Sequence, residues 1–116
     1  MDTAFYARQQ ARERSEHAAQ YMHTAYGLPL GRHTARHDGI HIFDVDQDSL
    51  AHWLTLTGGH ITVQAAGHGV VMRTLHTTTD PDGRRPGIPV QVHVLDCADE
   101  LVMPEVAAAT LRPTAA

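Results

Sequence analysis

FDVDQDSLAHWL, residues 43–54, is the stretch on which the fold turns. Asp44, Asp46 and Asp48 alternate as in a calcium loop. Such a loop also needs Gly at its sixth position, for the sharp turn, and a bidentate Glu at its twelfth. Counted from Asp44, those positions hold Ser49 and Thr55, so the strongest ligand is missing. A strand-to-helix junction accounts for every residue present. Asp46 or Asp48 caps backbone N–H groups, and the other carboxylates favour the positive helix end. The junction makes GIHIFDV, residues 39–45, a strand with Ile40 and Ile42 on one face. It makes residues 47–57 a helix: Leu50, Trp53, Leu54 and Thr57 fall at i, i+3, i+4 and i+7, and Gly58-Gly59 ends it.

Downstream, HITVQA reads as a strand with Ile61, Val63 and Ala65 inward. Gly67-His68-Gly69 is a turn, and VVMRTLHTT is the return strand. DPDGRRPG, residues 80–87, is an exposed loop, and IPVQVHVLD is the last strand, with Val90, Val92 and Val94 buried. The tail holds one short apolar segment, LVMPEVAAATL, and frays over residues 112–116.

Upstream, residues 3–26 read as a helix: no Gly or Pro interrupts them, and Gly27 and Pro29 stop them. Ala4, Ala11, Ala18 and Ala25 recur every seven residues, with Tyr21 on the second seam and Arg14 breaking it. This narrow stripe calls for a close neighbour, either the chain's own sheet or the same helix of a second copy. Arg12–Glu16 and Glu13–His17 are spaced as ion pairs. Residues 27–38 form a connector ending in the Asp38-Gly39 turn. The expected fold is α+β, in the order α-β-α-β-β-β, with a mainly antiparallel sheet packed against helices. Residues 1–116 make one small domain, with an N-terminal helix over 1–27 and an α+β core over 39–97.

The composition suits a packed globule: 42% of the 116 residues are apolar. All nine basic residues are Arg, and Lys and Asn are absent, a bias expected of a GC-rich, actinomycete-like genome or its mobile elements. A lone cysteine, Cys97, excludes an internal disulfide, and no stretch approaches a membrane span, so a cytoplasmic protein is expected. Charge is uneven. Residues 1–36 carry a net +2 and residues 37–116 a net −6, so one region attracts the other, within a chain or between chains.

Few side chains form a chemical signature. Ser15 and Ser49 lie on helices, and Cys97 sits among carboxylates that oppose its thiolate. The glycines of Gly67-His68-Gly69 precede a strand, where a phosphate cradle needs a helix. Ten histidines are a heavy complement, and His33, His37 and His41 have metal-ligand spacing if helical, but Asp38-Gly39 interrupts them. Arg8, Arg12, Arg14, Arg32 and Arg36, with the Arg84-Arg85 loop, are the footing for nucleic acid, opposed by the acidic remainder. The expectation is a non-catalytic protein-binding or accessory protein without a cofactor. It is expected to be homodimeric through Ala4, Ala11, Ala18, Tyr21 and Ala25, with an unidentified protein partner. A nucleic-acid-associated regulator and a histidine-based metal protein or enzyme are the alternatives.

Overall fold

In a computed structural model the structure describes residues 3–43, 45–79 and 87–111. Asp44, the Arg84-Arg85 loop and the tail 112–116 lie outside the described residues. The elements run α1 (Thr3–Tyr26), β1 (Arg32–Arg36), β2 (Gly39–Phe43), α2 (Gln47–Thr57), β3 (His60–Gly67), β4 (Val70–Thr78), β5 (Pro89–Cys97) and α3 (Pro104–Ala109). The α+β fold is as expected, with two additions. RHTAR, read as connector, is the edge strand β1, and the apolar tail segment contains α3.

The strands form one five-stranded sheet in the order β1-β2-β5-β4-β3. Every pairing is antiparallel except that of β2 with β5, which is parallel and sets Ile40 beside Val90 and Ile42 beside Val92. All three helices lie against one face. α1 packs on β1 and β2, α2 on β4 and β5, and α3 on α2 and β3. Between them Ala19, Met22, Leu28, Leu50, Trp53, Ile61, Leu75, Val92 and Val106 form one core.

Local chemistry explains the junctions. Asp46 caps α2: its Oδ1 accepts from the Ser49 amide and hydroxyl, each at 2.9 Å. These bonds hold the Asp46 carboxyl below its usual range, the backbone bond contributing most. Gly58 donates to the Leu54 carbonyl at 2.8 Å to close the helix. At Gly59, φ is +105° and a Cβ would stand 2.1 Å from the His76 carbonyl oxygen, so only glycine lets this turn press against β4. Gly27 ends α1 with its N–H on the His23 carbonyl, and Leu28 and Leu30 then turn into the core. Trp53 Nε1 donates to the Pro29 carbonyl at 2.8 Å, fastening this connector to α2.

One buried ion pair sits on the helix side. Arg73 Nε donates to Asp96 Oδ2 at 2.9 Å, and the Gln47 amide donates to the same oxygen at 3.2 Å. Gln47 Oε1 also accepts from the Met103 amide, so one side chain ties the start of α2 to β5 and to the segment before α3. The pattern fails at one place. Val63 and Ala65 are expected inward, yet Val63 is 42% exposed and Ala65 is exposed, on an edge strand that the C-terminal segment bridges at Ile61.

Candidate functional site: an open sheet face and a basic cleft

Strand alternation sends half the sheet's side chains away from the helices. Register sets them in rows. Thr34, His41, Gln91, His76 and His60 run across the five strands in one row. Phe43, His93, Thr74 and Thr62 lie in the next, with Leu95, Met72 and Gln64 beyond. No helix covers this face among the described residues. Its rings are nearly parallel: His93 lies 4.9 Å from Phe43 and 5.7 Å from His41 between centroids, and His60 lies 4.9 Å from His76. Hydrogen bonds fix them in place. Thr74 Oγ1 meets His93 Nδ1 at 2.9 Å, His93 Nε2 meets His41 Nδ1 at 3.4 Å, and Thr62 Oγ1 meets His76 Nε2 at 2.9 Å.

Two of the imidazoles, His93 and His76, are held toward their neutral form. Burial first, then the charge of neighbouring His41 and His76, lowers the pKa of His93. Burial and then His60 do the same for His76. Beside them Arg32, Phe43, Val45, Met72, His93 and Leu95 line a hollow of about 370 Å³. Leu95 is 67% exposed at its rim.

A second concavity of about 370 Å³ lies on the other side of β1, toward α1. Phe5, Arg8, Gln9 and Arg12 line it from α1, and Thr34, Ala35, Arg36 and His37 from the sheet. Among the described residues, Arg8, Arg12 and Arg36 form no ion pair, while Glu16 takes His33 at 3.1 Å instead of the expected Arg12. Arg14 lines neither hollow, and Arg32 belongs to the open-face hollow. The five arginines of the expected nucleic-acid surface are therefore divided.

The other expected sites separate as well. Ser15, Ala19 and Met22 are the buried face of α1, with Ala11 and Ala18 half-buried beside them against the chain's own sheet. Ala4 and Ala25 are exposed near the helix ends, and Tyr21 is 61% exposed. The seven-residue stripe thus coincides with the intramolecular contact only in its middle. His33 points to the helix side and bonds Glu16, His41 points to the open face, and His37 is in the hairpin turn, so the three do not converge. Among the described residues no three His, Cys, Asp or Glu groups are placed to share a metal ion.

Nor do the described nucleophiles assemble. Ser15 Oγ donates to the Ala11 and Arg36 carbonyls, Ser49 completes the cap, and Cys97 is exposed at a strand end. Thr74 meets an imidazole, but at 5% exposure its hydroxyl faces no approach for a substrate. No described helix is long and apolar enough to cross a membrane. Compared with models of known protein families, with curated proteins and with solved structures, the chain matches none.

The open face is the feature that sequence reasoning missed. Its signal was present in the second phase of the strand alternation: His41, Phe43, Met72, Thr74, His76, Gln91, His93 and Leu95 are one residue out of step with the core positions.

Proposed function

We propose that the chain is a small non-catalytic binding protein that works as a homodimer, joined through the open face of its sheet. The uncovered rings of Phe43, His93 and His41 support this most directly. Those rings belong to the parallel β2–β5 pair, and parallel strands are ordinarily covered on both faces. A second copy supplies the missing layer, and sheet-on-sheet packing is an ordinary way to do so.

The size fits. Five strands about 4.8 Å apart and roughly 20 Å long present about 500 Å² per copy, or about 1,000 Å² in a pair, the lower edge of specific interfaces. The chemistry fits too. Neutral imidazole, threonine and glutamine side chains lose little on leaving water if they exchange hydrogen bonds across the interface, and Leu95, Met72 and Phe43 supply apolar area.

Light scattering tests the reading directly. Near 100 μM, where about a micromolar affinity saturates, the mass should be twice the 12.7 kDa of the chain. Leu95→Glu should return it to the monomer, while Tyr21→Glu on α1 should leave the dimer intact. A wild-type monomer overturns the proposal, as does a dimer lost in Tyr21→Glu and kept in Leu95→Glu.

A further inference from the structure

The cleft between α1 and β1 has an informative lining. Thr34, Ala35, Arg36 and His37 are consecutive, and consecutive strand residues point alternately to opposite faces. A concavity touched by all of them runs along the strand's edge. On the facing wall Phe5, Arg8, Gln9 and Arg12 stand at i, i+3, i+4 and i+7, one stripe of the helix. Among the described residues, β1 pairs with β2 on its inner side and with no strand on its outer side. The cleft is therefore an unpaired strand edge facing a helix stripe that carries two guanidinium groups.

We propose that this cleft captures an extended acidic segment of another protein as an added strand on β1. Backbone N–H and C=O groups of the segment pair with the free edge, which supplies affinity without regard to sequence. Alternate side chains then reach the α1 wall, where Arg8 and Arg12 meet carboxylates and Phe5 packs against an apolar residue. Arg36 closes the sheet end of the cleft. Among the described residues, no acidic residue lines it. Glu13 and Glu16 border Arg12 in the neighbouring depression, where His33 holds Glu16.

Short length and positive charge also explain why the edge stays free. An edge strand flanked by Arg32 and Arg36 repels a second copy of itself while accepting an acidic strand. An extended peptide is favoured over nucleic acid because the cleft offers a backbone edge, which a phosphodiester chain cannot pair. The cleft lies on the outer edge and helix side of the sheet and shares only Thr34 with the open-face rows. Peptide capture and self-association therefore fail independently.

The test is fluorescence anisotropy with the full chain and a labelled hexapeptide, Val-Thr-Glu-Thr-Glu-Thr, whose alternate positions set one apolar residue and two carboxylates on one face. Two further peptides of the same charge carry backbone N-methyl groups, one on the odd and one on the even positions. Strand addition uses one set of N–H groups, so one methylated peptide should bind at least about tenfold more weakly and the other nearly as well as the parent. Arg8→Ala with Arg12→Ala should cost at least about tenfold, and Phe5→Ala a smaller factor. These side chains are exposed, so circular dichroism should be unchanged in all the variants. No binding of the parent peptide overturns the proposal, as does equal binding of all three peptides. A single-stranded oligonucleotide of matched charge that binds more tightly than the peptide, and is lost in the arginine variant, overturns it in favour of nucleic acid.

Discussion

The two faces of this sheet are built from the same strands, one residue out of phase, and have almost opposite chemistry. Toward the helices stand Ile40, Ile42, Ile61, Leu75, Val90, Val92 and Val94, all essentially without solvent contact. Away from them stand imidazoles, threonines, glutamines, one phenylalanine, one methionine and the exposed Leu95, most of them half-buried. The first set is suited to permanent burial. The second can be covered or wet at little cost, as a surface that joins and parts requires. Fold and the proposed association would thus draw on alternate residues of one ladder, and substitutions should separate them.

The largest effects belong to the helix side. Trp53→Ala empties the centre of the core and orphans the Pro29 carbonyl, and should cost about 3–5 kcal/mol in urea denaturation. Phe43→Ala on the open face should cost under about 1.5 kcal/mol in a monomeric background while weakening the dimer. Equal losses at both positions would break the comparison.

Next comes the buried ion pair. Asp96→Ala leaves Arg73 charged, buried and unpaired, and should cost about 3–5 kcal/mol. Replacing both residues, Arg73→Met with Asp96→Leu, should recover most of that loss, because a well-packed apolar pair needs no desolvation. A double variant as unstable as Asp96→Ala would show that Gln47, left without its acceptor, matters more than the charges.

Acid should act on the open face. His76 and His93 titrate below the ordinary imidazole range, so the unfolded chain binds protons that the folded chain resists. Stability, and dimer affinity with it, should be full above about pH 6.5 and fall as pH drops through that value. His41, His60 and Arg32 flank these two rings and add positive charge rather than relieve it. His93→Gln should flatten the slope below pH 6.5, measured by midpoint shift in urea. An unchanged slope would place the pH sensitivity elsewhere.

Smallest is the helix surface. Glu16 is held below the usual carboxylate range, chiefly by its hydrogen bond with His33. That contribution is present above the ordinary Glu value and disappears as pH falls through the lowered one. The pair is half exposed, so Glu16→Gln should cost at most about 0.5 kcal/mol.

What was legible in the sequence follows the same division. The α1 and α2 boundaries, the valines of β5 and the glycine turns are marked by periodicity and by residues with fixed backbone needs, which local physics reveals. β1 was not legible: RHTAR has one apolar residue and no alternation, since an edge strand facing a helix through Ala35 and His33 needs neither. The exposure of Val63 was hidden for the opposite reason. Its pattern is that of a buried strand, and only its place at the edge of the sheet decides otherwise. Both concavities arise from tertiary placement. Arg8 and Arg36 face one cleft only once the chain has folded back, and His41 finds His93 through the parallel pairing.

That parallel pairing governs the order in which the molecule is made. The β1–β2 hairpin can close soon after it leaves the ribosome, but Ile40 must wait for Val90 and Ile42 for Val92. Until β5 emerges, the inner edge of β2 has no strand, and the β3–β4 hairpin has nothing to join it to β2. Local turns form early, and the sheet closes only when the last strand enters its middle. A chain interrupted before Pro89 would thus hold α1, α2 and two separate hairpins with the inner edge of β2 unpaired, a species for chaperones to hold rather than a small domain.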